Sequence, residues 1–320
     1  MSFNFKTAAV VAVAAFGAMA APAAAEYPEK SIRLIIPFGP GGATDTVGRM
    51  IAGPLEEALG VSVAAINQPG AGGAVGLANL AGARADGYTI AIGSDSSIAA
   101  RPLMTESGYS SDNFKPIARL VRAPIGFAVR ADSPYETLGD LVAAMEERDV
   151  LWSSPGVGSG PFLAAETFFK QAGTDEPHVN ASSGGDALVK LLSGEVDFVS
   201  SSGSNFPAML DENEGVIRVL AVASEDRWPV LPDAPTFNEQ GVEFTRSIWF
   251  GLVAPKEAPQ EAIDRLAEEV AAILESEDAA DVLRNFNFSN GYQSPEEFAA
   301  EIESTVIALE PVLEAIGMAK

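Results

Sequence analysis

The chain has no cysteine, a single histidine (His178) and only 20 lysines and arginines against 44 acidic residues. Each shortage excludes a class of chemistry. Without cysteine there is no disulfide and no thiol to carry a lipid, so the fold must rest on its core. Cys/His zinc sites and multi-histidine metal sites fall away as well, and no metal or cofactor is expected. The formal charge of −24 repels nucleic acid and anionic membrane surfaces, so neither is expected as a partner. The acids are dispersed and read as a solvated surface.

Catalytic signatures are equally scarce. A Ser-His-Asp triad would have to use His178, yet no G-x-S-x-G elbow exists, and Gly158-Ser159-Gly160 has the wrong spacing. His178 therefore reads as a hydrogen-bonded structural residue. Gly39-x-Gly41 and Gly70-x-Gly72 lack the third glycine of a dinucleotide fingerprint, and no phosphate-binding G-x-x-x-x-G-K-[ST] occurs. Enzyme readings do badly.

Residues 1–25 stand apart. Lys6 precedes an apolar run from Ala8 to Ala24, and Ala23-Ala24-Ala25 supplies a small-residue cleavage pattern. This predicts a secretory signal peptide, since the run is short for a membrane span and no stop-transfer flank follows. Without Lys6 the chain from Glu26 carries a formal charge of −25. At 47% hydrophobic it can bury a large core, and its length suggests two domains.

Strand-like runs at 32–36, 61–66, 89–92, 125–129, 196–200 and 216–222 alternate with helical patterns. The helical stretches fall near 44–59, 74–84, 135–147, 161–172, 185–193 and several times after 258. Such alternation predicts an α/β fold with parallel sheets, whose ligands bind outside the carboxyl ends of the strands. Gly53-Pro54 should bend the first helix. The last sixty residues read as two or three amphipathic helices for packing.

What is present at the strand ends is glycine and serine. Pro37-Phe38-Gly39-Pro40-Gly41-Gly42-Ala43-Thr44-Asp45 follows the first strand and opens a helix. The glycines expose backbone N–H groups, and the helix N-terminus favours a negative group. The loop thus reads as an anion cradle made without lysine or arginine. Gly93-Ser94-Asp95-Ser96-Ser97, Ser153 to Gly160 and Ala181-Ser182-Ser183-Gly184-Gly185-Asp186 lie at similar junctions. Four such loops facing one cleft would form a pocket for carboxylate and hydroxyl groups.

Single side chains have two readings. Asp45 either orients the first loop or, as we favour, caps its helix. Asp95 could accept a ligand amine or hydroxyl, because an acid would repel a bound carboxylate. Phe38 either stacks on the ligand or fills core. Trp249 and Phe250 begin a strand that returns to the first domain, and they suit hinge packing.

Several motifs occur together. They are Tyr27-Pro28-x-Lys30-x-Ile32-Arg33 before Pro37-Phe38-x-Pro40-Gly41-Gly42-x-x-Asp45, Asn67-x-Pro69-Gly70-Ala71-Gly72-Gly73 and Asp86-Gly87-Tyr88-Thr89. Ser154-Pro155-Gly156-x-Gly158-Ser159, Leu191-Leu192-x-Gly194-x-Val196-Asp197, Leu231-Pro232-Asp233-x-Pro235-Thr236 and Trp249 to Pro255 follow. Jointly they resemble the periplasmic solute-binding receptors of tripartite tricarboxylate transporters, the Bug family, over almost all of the chain after residue 25.

The resemblance implies a type II periplasmic-binding-protein fold, two α/β domains closing on a ligand cleft. Its domains would be 26–124 plus 248–320, and 125–247. It implies that the Phe38 loop and the Ser159 loop grip one carboxylate, partly through ordered waters. The candidate ligand-binding set is Phe38, Gly41, Gly42, Ala43, Thr44, Asp45, Ser94, Asp95, Ser96, Gly158, Ser159, Gly160, Ser182, Ser183, Gly184 and Asp186. A monomeric periplasmic receptor is implied, delivering a small carboxylate to a permease of one large and one small integral subunit. It would not insert into the membrane itself. A receptor feeding a sensor kinase is the alternative within the binding class, and a secreted α/β hydrolase is the rival outside it. Asn180-Ala181-Ser182-Ser183 replaces the Pro-Tyr-Lys-Gly of many relatives, and Phe162 replaces a frequent histidine. Both changes should alter ligand selectivity.

Overall fold

The computed structural model describes residues 27–40, 43–206, 215–229 and 231–320. The expected signal peptide, and Gly41 and Gly42 of the first loop, lie outside the described residues.

The first half follows the expected alternation. Strand β1 (Ile32–Ile36) leads to α1 (Ala43–Leu59), then β2 (Val63–Asn67), α2 (Ala74–Ala81) and β3 (Thr89–Ser94). Four of the five β1 residues are buried, as an apolar run covered on both faces should be. Helix α1 runs unbroken through Pro54 and buries Val47, Ile51 and Leu55, one stripe at helical spacing. After β3 the chain enters a π-helical turn, residues 95–100, continuing into the short α3 (Arg101–Met104).

The next strand, β4 (Phe114–Arg130), is 17 residues long, where only 125–129 reads as strand from sequence. Pro116 and Pro124 disguise its beginning, because proline cannot donate to a ladder. The ladder accommodates them by shifting register between Pro116 and Ala118, and by ending one pairing at Pro124.

Then follow α4 (Leu138–Glu147), β5 (Trp152–Ser154), α5 (Gly160–Ala172), β6 (His178–Asn180), α6 (Gly184–Leu192), β7 (Phe198–Ser202) and β8 (Ile217–Val222). Strand β9 (Ser247–Pro255) returns, and α7 (Gln260–Leu274), α8 (Glu277–Asn285), β10 (Ser289–Gln293) and α9 (Pro295–Ala315) complete the order.

The sheet runs β2-β1-β3-β9-β4-β7-β5-β6, with β8 and β10 also paired to β4. Pairs β1–β2, β1–β3, β5–β6 and β5–β7 are parallel, as expected. The pairs that join them are antiparallel: β3–β9, β4–β9, β4–β7, β4–β8 and β4–β10. The sheet is therefore mixed, because β9 comes back between β3 and β4. Residues 114–124 of β4 pair with β9, while 125–129 pair with β7. The two halves thus share β4, and β9 lies beside its first part.

Three helices form the C-terminal region, with β10 between the last two. Helix α7 buries Ile263, Leu266, Val270 and Leu274. Phe298 of α9 meets Trp249 of β9 edge to face, with ring centroids 5.1 Å apart. That places Trp249 in packing, as the sequence suggests.

Candidate functional site

The polar loops lie at the carboxyl ends of β1, β3, β5 and β6. In the first, Asn67 of β2 reaches across and donates through Nδ2 to the Phe38 carbonyl at 2.9 Å and to Asp45 Oδ1 at 2.8 Å. Arg49, one turn along α1, donates through Nε to both Asp45 oxygens at 3.0 and 3.1 Å. Its Nη2 closes the ring on Asn67 Oδ1 at 2.8 Å. Asp45 is 5% exposed, and it braces the loop against the helix. Thr44 is buried beside it, whereas Ala43 is exposed.

The Phe38 ring lies over Gly73. A Cβ on Gly73 would stand 3.1 Å from both the ring edge and Ser97 Cβ, and its φ of +94° suits glycine alone. Further along this wall the Arg101 guanidinium faces Gly72, and its buried Nε has no hydrogen-bond partner. The wall near the first loop is thus not free of basic side chains, contrary to the sequence expectation.

At the end of β3, three serine hydroxyls knot together. Ser94 Oγ lies 3.0 Å from both Ser96 Oγ and Ser97 Oγ, and the Ser94 N–H donates to Ser97 Oγ at 3.0 Å. Between them Asp95 is 2% exposed, and neither carboxylate oxygen has a partner. Burial pushes its pKa up to about 6. The nearby Arg246 cation opposes that rise, as do the N–H groups of Ser96 and Asp95 itself, although none closes a hydrogen bond of ordinary geometry. π-Turns such as this one concentrate at functional positions.

The loop after β5 arrives from the other half. Ser159 caps α5, its Oγ accepting from the Phe162 N–H at 3.2 Å. A Cβ on Gly160 would fall 2.7 Å from Asp95 Oδ2, and one on Gly158 would fall 2.6 Å from the Met104 methyl. Only glycine lets the second loop come this close to the first wall.

The last loop is occupied with its own helix. Ser183 caps α6 by accepting from the Asp186 N–H at 3.1 Å, and Ser182 donates twice to Asp186 Oδ2 at 2.8 and 3.0 Å. Gly184 packs against Asn205 and Ser201.

Phe38, Ser94–Ser97, Gly158 and Gly160 therefore fall along one line of contacts. Asp45 braces the first loop, and Asp186 serves the cap of its own helix. Arg101, Arg122 and Arg246 were not foreseen; their only signal is that a chain so poor in basic residues spends three near these loops.

A serine and the histidine do meet. Ser154 Oγ and His178 Nε2 are 3.0 Å apart, but Ser154 is wholly buried and His178 stands against the rings of Trp152 and Phe162. Burial lowers the His178 pKa below its ordinary value, and among the described residues no carboxylate pairs with it. Two thirds of a triad is present without the acid or the access.

The model of the tripartite tricarboxylate transporter family receptor matches residues 47–318. The chain belongs to that family. Protein BugT of Bordetella pertussis is 33% identical to this receptor over 266 residues, 81% of each chain. Rpa4515 of R. palustris, solved with adipate, is 30% identical, with a TM-score of 0.79 over 92% of this receptor and 99% of that chain. MatC (Rpa3494) of Rhodopseudomonas palustris, solved with bound malate, is 27% identical, with a TM-score of 0.78 over 90% of this receptor and 100% of that chain. The receptor has the two-domain α/β fold of the periplasmic binding proteins among its solved relatives.

Proposed function

We propose that this receptor captures a small carboxylate between the 37–45 and 153–160 loops by hinged closure and does no chemistry on it. Residues 26–124 with 248–320 form one lobe in this reading, and 125–247 form the other. The change of partner along β4 at Pro124–Ile125 supports that division. The observation that carries the reading is the approach of Gly160 to Asp95, which brings a helix N-terminus from one half against a hydroxyl-rich turn of the other. Adipate in Rpa4515 and malate in MatC support a carboxylate as cargo. Backbone N–H groups, hydroxyls and ordered waters would hold it, which lets a local field favour an anion despite the overall charge.

The 1–25 segment would direct the chain to the periplasm. Among the described residues no helix is long and apolar enough to cross a membrane. Delivery to a permease of one large and one small subunit completes the role, with the receptor acting as a monomer.

A thermal-shift screen over dicarboxylates, tricarboxylates, aromatic acids and amino acids tests this, since a ligand that binds only the folded state raises its melting temperature. At least one carboxylate should give a saturable rise, and Ser159→Ala should bind it without turnover. A flat response to all of them would overturn the proposal, and so would turnover that disappears in Ser159→Ala.

A further inference from the structure

Asp95 also lines a cavity of 290 Å³ whose other walls lie outside the loops of the carboxylate site. Its walls come from Arg246, just before β9, and Ser247 at its start, from β4 (Arg122) and from α9 (Ser304, Thr305), with Asp95 among them. None of these residues but Asp95 belongs to the loops described above.

The charges in it are incomplete. Asp95 is buried with both oxygens unpartnered, and the buried Nε of Arg246 is unpartnered too. The two groups sense each other electrostatically, yet no ion pair within 4 Å forms between them. Arg122 donates its Nε to Ser247 Oγ at 3.1 Å and pairs with no carboxylate among the described residues. Ser304 and Thr305 already donate their hydroxyls to the Glu301 carbonyl, at 2.9 and 2.7 Å, and Thr305 Oγ1 also accepts from Trp249 Nε1 at 3.3 Å, which leaves acceptor capacity chiefly on Ser304. Glu301 also lines the cavity, 3.5 Å from Arg119.

A fully buried acid facing the same space as a half-buried guanidinium whose Nε is sealed from water is costly, because the carboxylate and that N–H each lose hydration without gaining a partner. A guest can satisfy both if it carries an anion at one end and a donor at the other. The guanidinium groups suit a planar carboxylate. The acid and the hydroxyl lone pairs suit an ammonium group. The space is several times the roughly 30 Å³ that one water occupies in the liquid.

We propose that this cavity is a second site, for a small amino acid in its zwitterionic form, with its carboxylate on Arg122 and Arg246 and its ammonium on Asp95. It lies where β4 and β9 run together beside the junction of the two halves, and it stands independently of carboxylate capture by the 37–45 and 153–160 loops.

Glycine, formate and methylammonium are the probes, each titrated against the protein while melting is followed at constant ionic strength. Glycine should raise the melting temperature saturably, with formate and methylammonium at least tenfold weaker. Arg246→Gln and Arg122→Gln should each weaken the glycine response at least tenfold. Both should keep a cooperative melt and the wild-type response to the carboxylate found in the wider screen. Asp95→Asn should abolish the preference for glycine over formate. The proposal is overturned if glycine has no effect, if formate matches it, or if its response survives both arginine substitutions. A glycine response lost in Ser159→Ala but kept in Arg246→Gln would place glycine between the loops and equally overturn it.

Discussion

Asp45 and Asp95 occupy nearly equivalent places, each a buried acid just beyond a strand, opening the helical turn that follows a glycine- or serine-bearing loop. Their surroundings are opposite. Asp45 receives Arg49 Nε and Asn67 Nδ2, while Asp95 receives no hydrogen bond and has Arg246 only at a distance. The first acid is spent on holding its loop. The second is held in reserve, and its burial is a cost the fold carries at the meeting of its two halves. A local rule for acids at helix starts covers Asp45 and fails at Asp95, where the decisive neighbours come from α5 and from the segment entering β9.

The comparison can be broken from either side. Asp45→Ala should have the largest effect, lowering stability by about 2–3 kcal/mol in urea or guanidinium unfolding. It strands the half-buried Asn67 amide and leaves Arg49, which is half exposed, without its acid. Asp95→Asn should act in the opposite direction. The folded-state pKa of about 6 lies above the unfolded value of 3.8, so the native state holds its proton longer. Its penalty is absent below about pH 4, grows between 4 and 6, and is complete above that window. The variant should gain about 2 kcal/mol at pH 8 and nothing at pH 3.5, read as the difference from wild type across a pH series of melts.

Gly160→Ala sharpens the point in ligand binding. Its Cβ would meet Asp95 Oδ2 at 2.7 Å, so the second loop must stand off. Carboxylate affinity measured by titration calorimetry should fall about tenfold, or roughly 1.4 kcal/mol. The smallest effect belongs to Ser183→Ala, which removes the α6 cap and should cost about 1 kcal/mol in the same unfolding assay. Carboxylate binding should then be little changed, because Ser183 serves its own helix.

Much of this was legible in the chain itself. The glycine and serine loops declared the strand ends, and the terminal helices showed in their apolar spacing. The motif resemblance agrees with the family. The opening half of β4 was hidden by Pro116 and Pro124, and β10 by its Ser-Asn-Gly composition, both poor strand formers that take their place by pairing with distant partners. The parallel sheet expected from alternation became mixed because β9 returns between β3 and β4, a choice no local pattern encodes. Arg101, Arg122 and Arg246 escaped for the same reason. An isolated arginine reads as surface until folding surrounds it, and Asp95 becomes an orphan only once Gly160 and Arg246 arrive beside it.

The central claim is capture by closure, and small-angle X-ray scattering tests it most directly. The radius of gyration would be compared without ligand and with a saturating amount of the carboxylate that most raises the melting temperature. The account predicts a contraction as the two halves close on the ligand, diminished in Gly160→Ala. Binding that leaves the radius unchanged in the wild-type protein would contradict it.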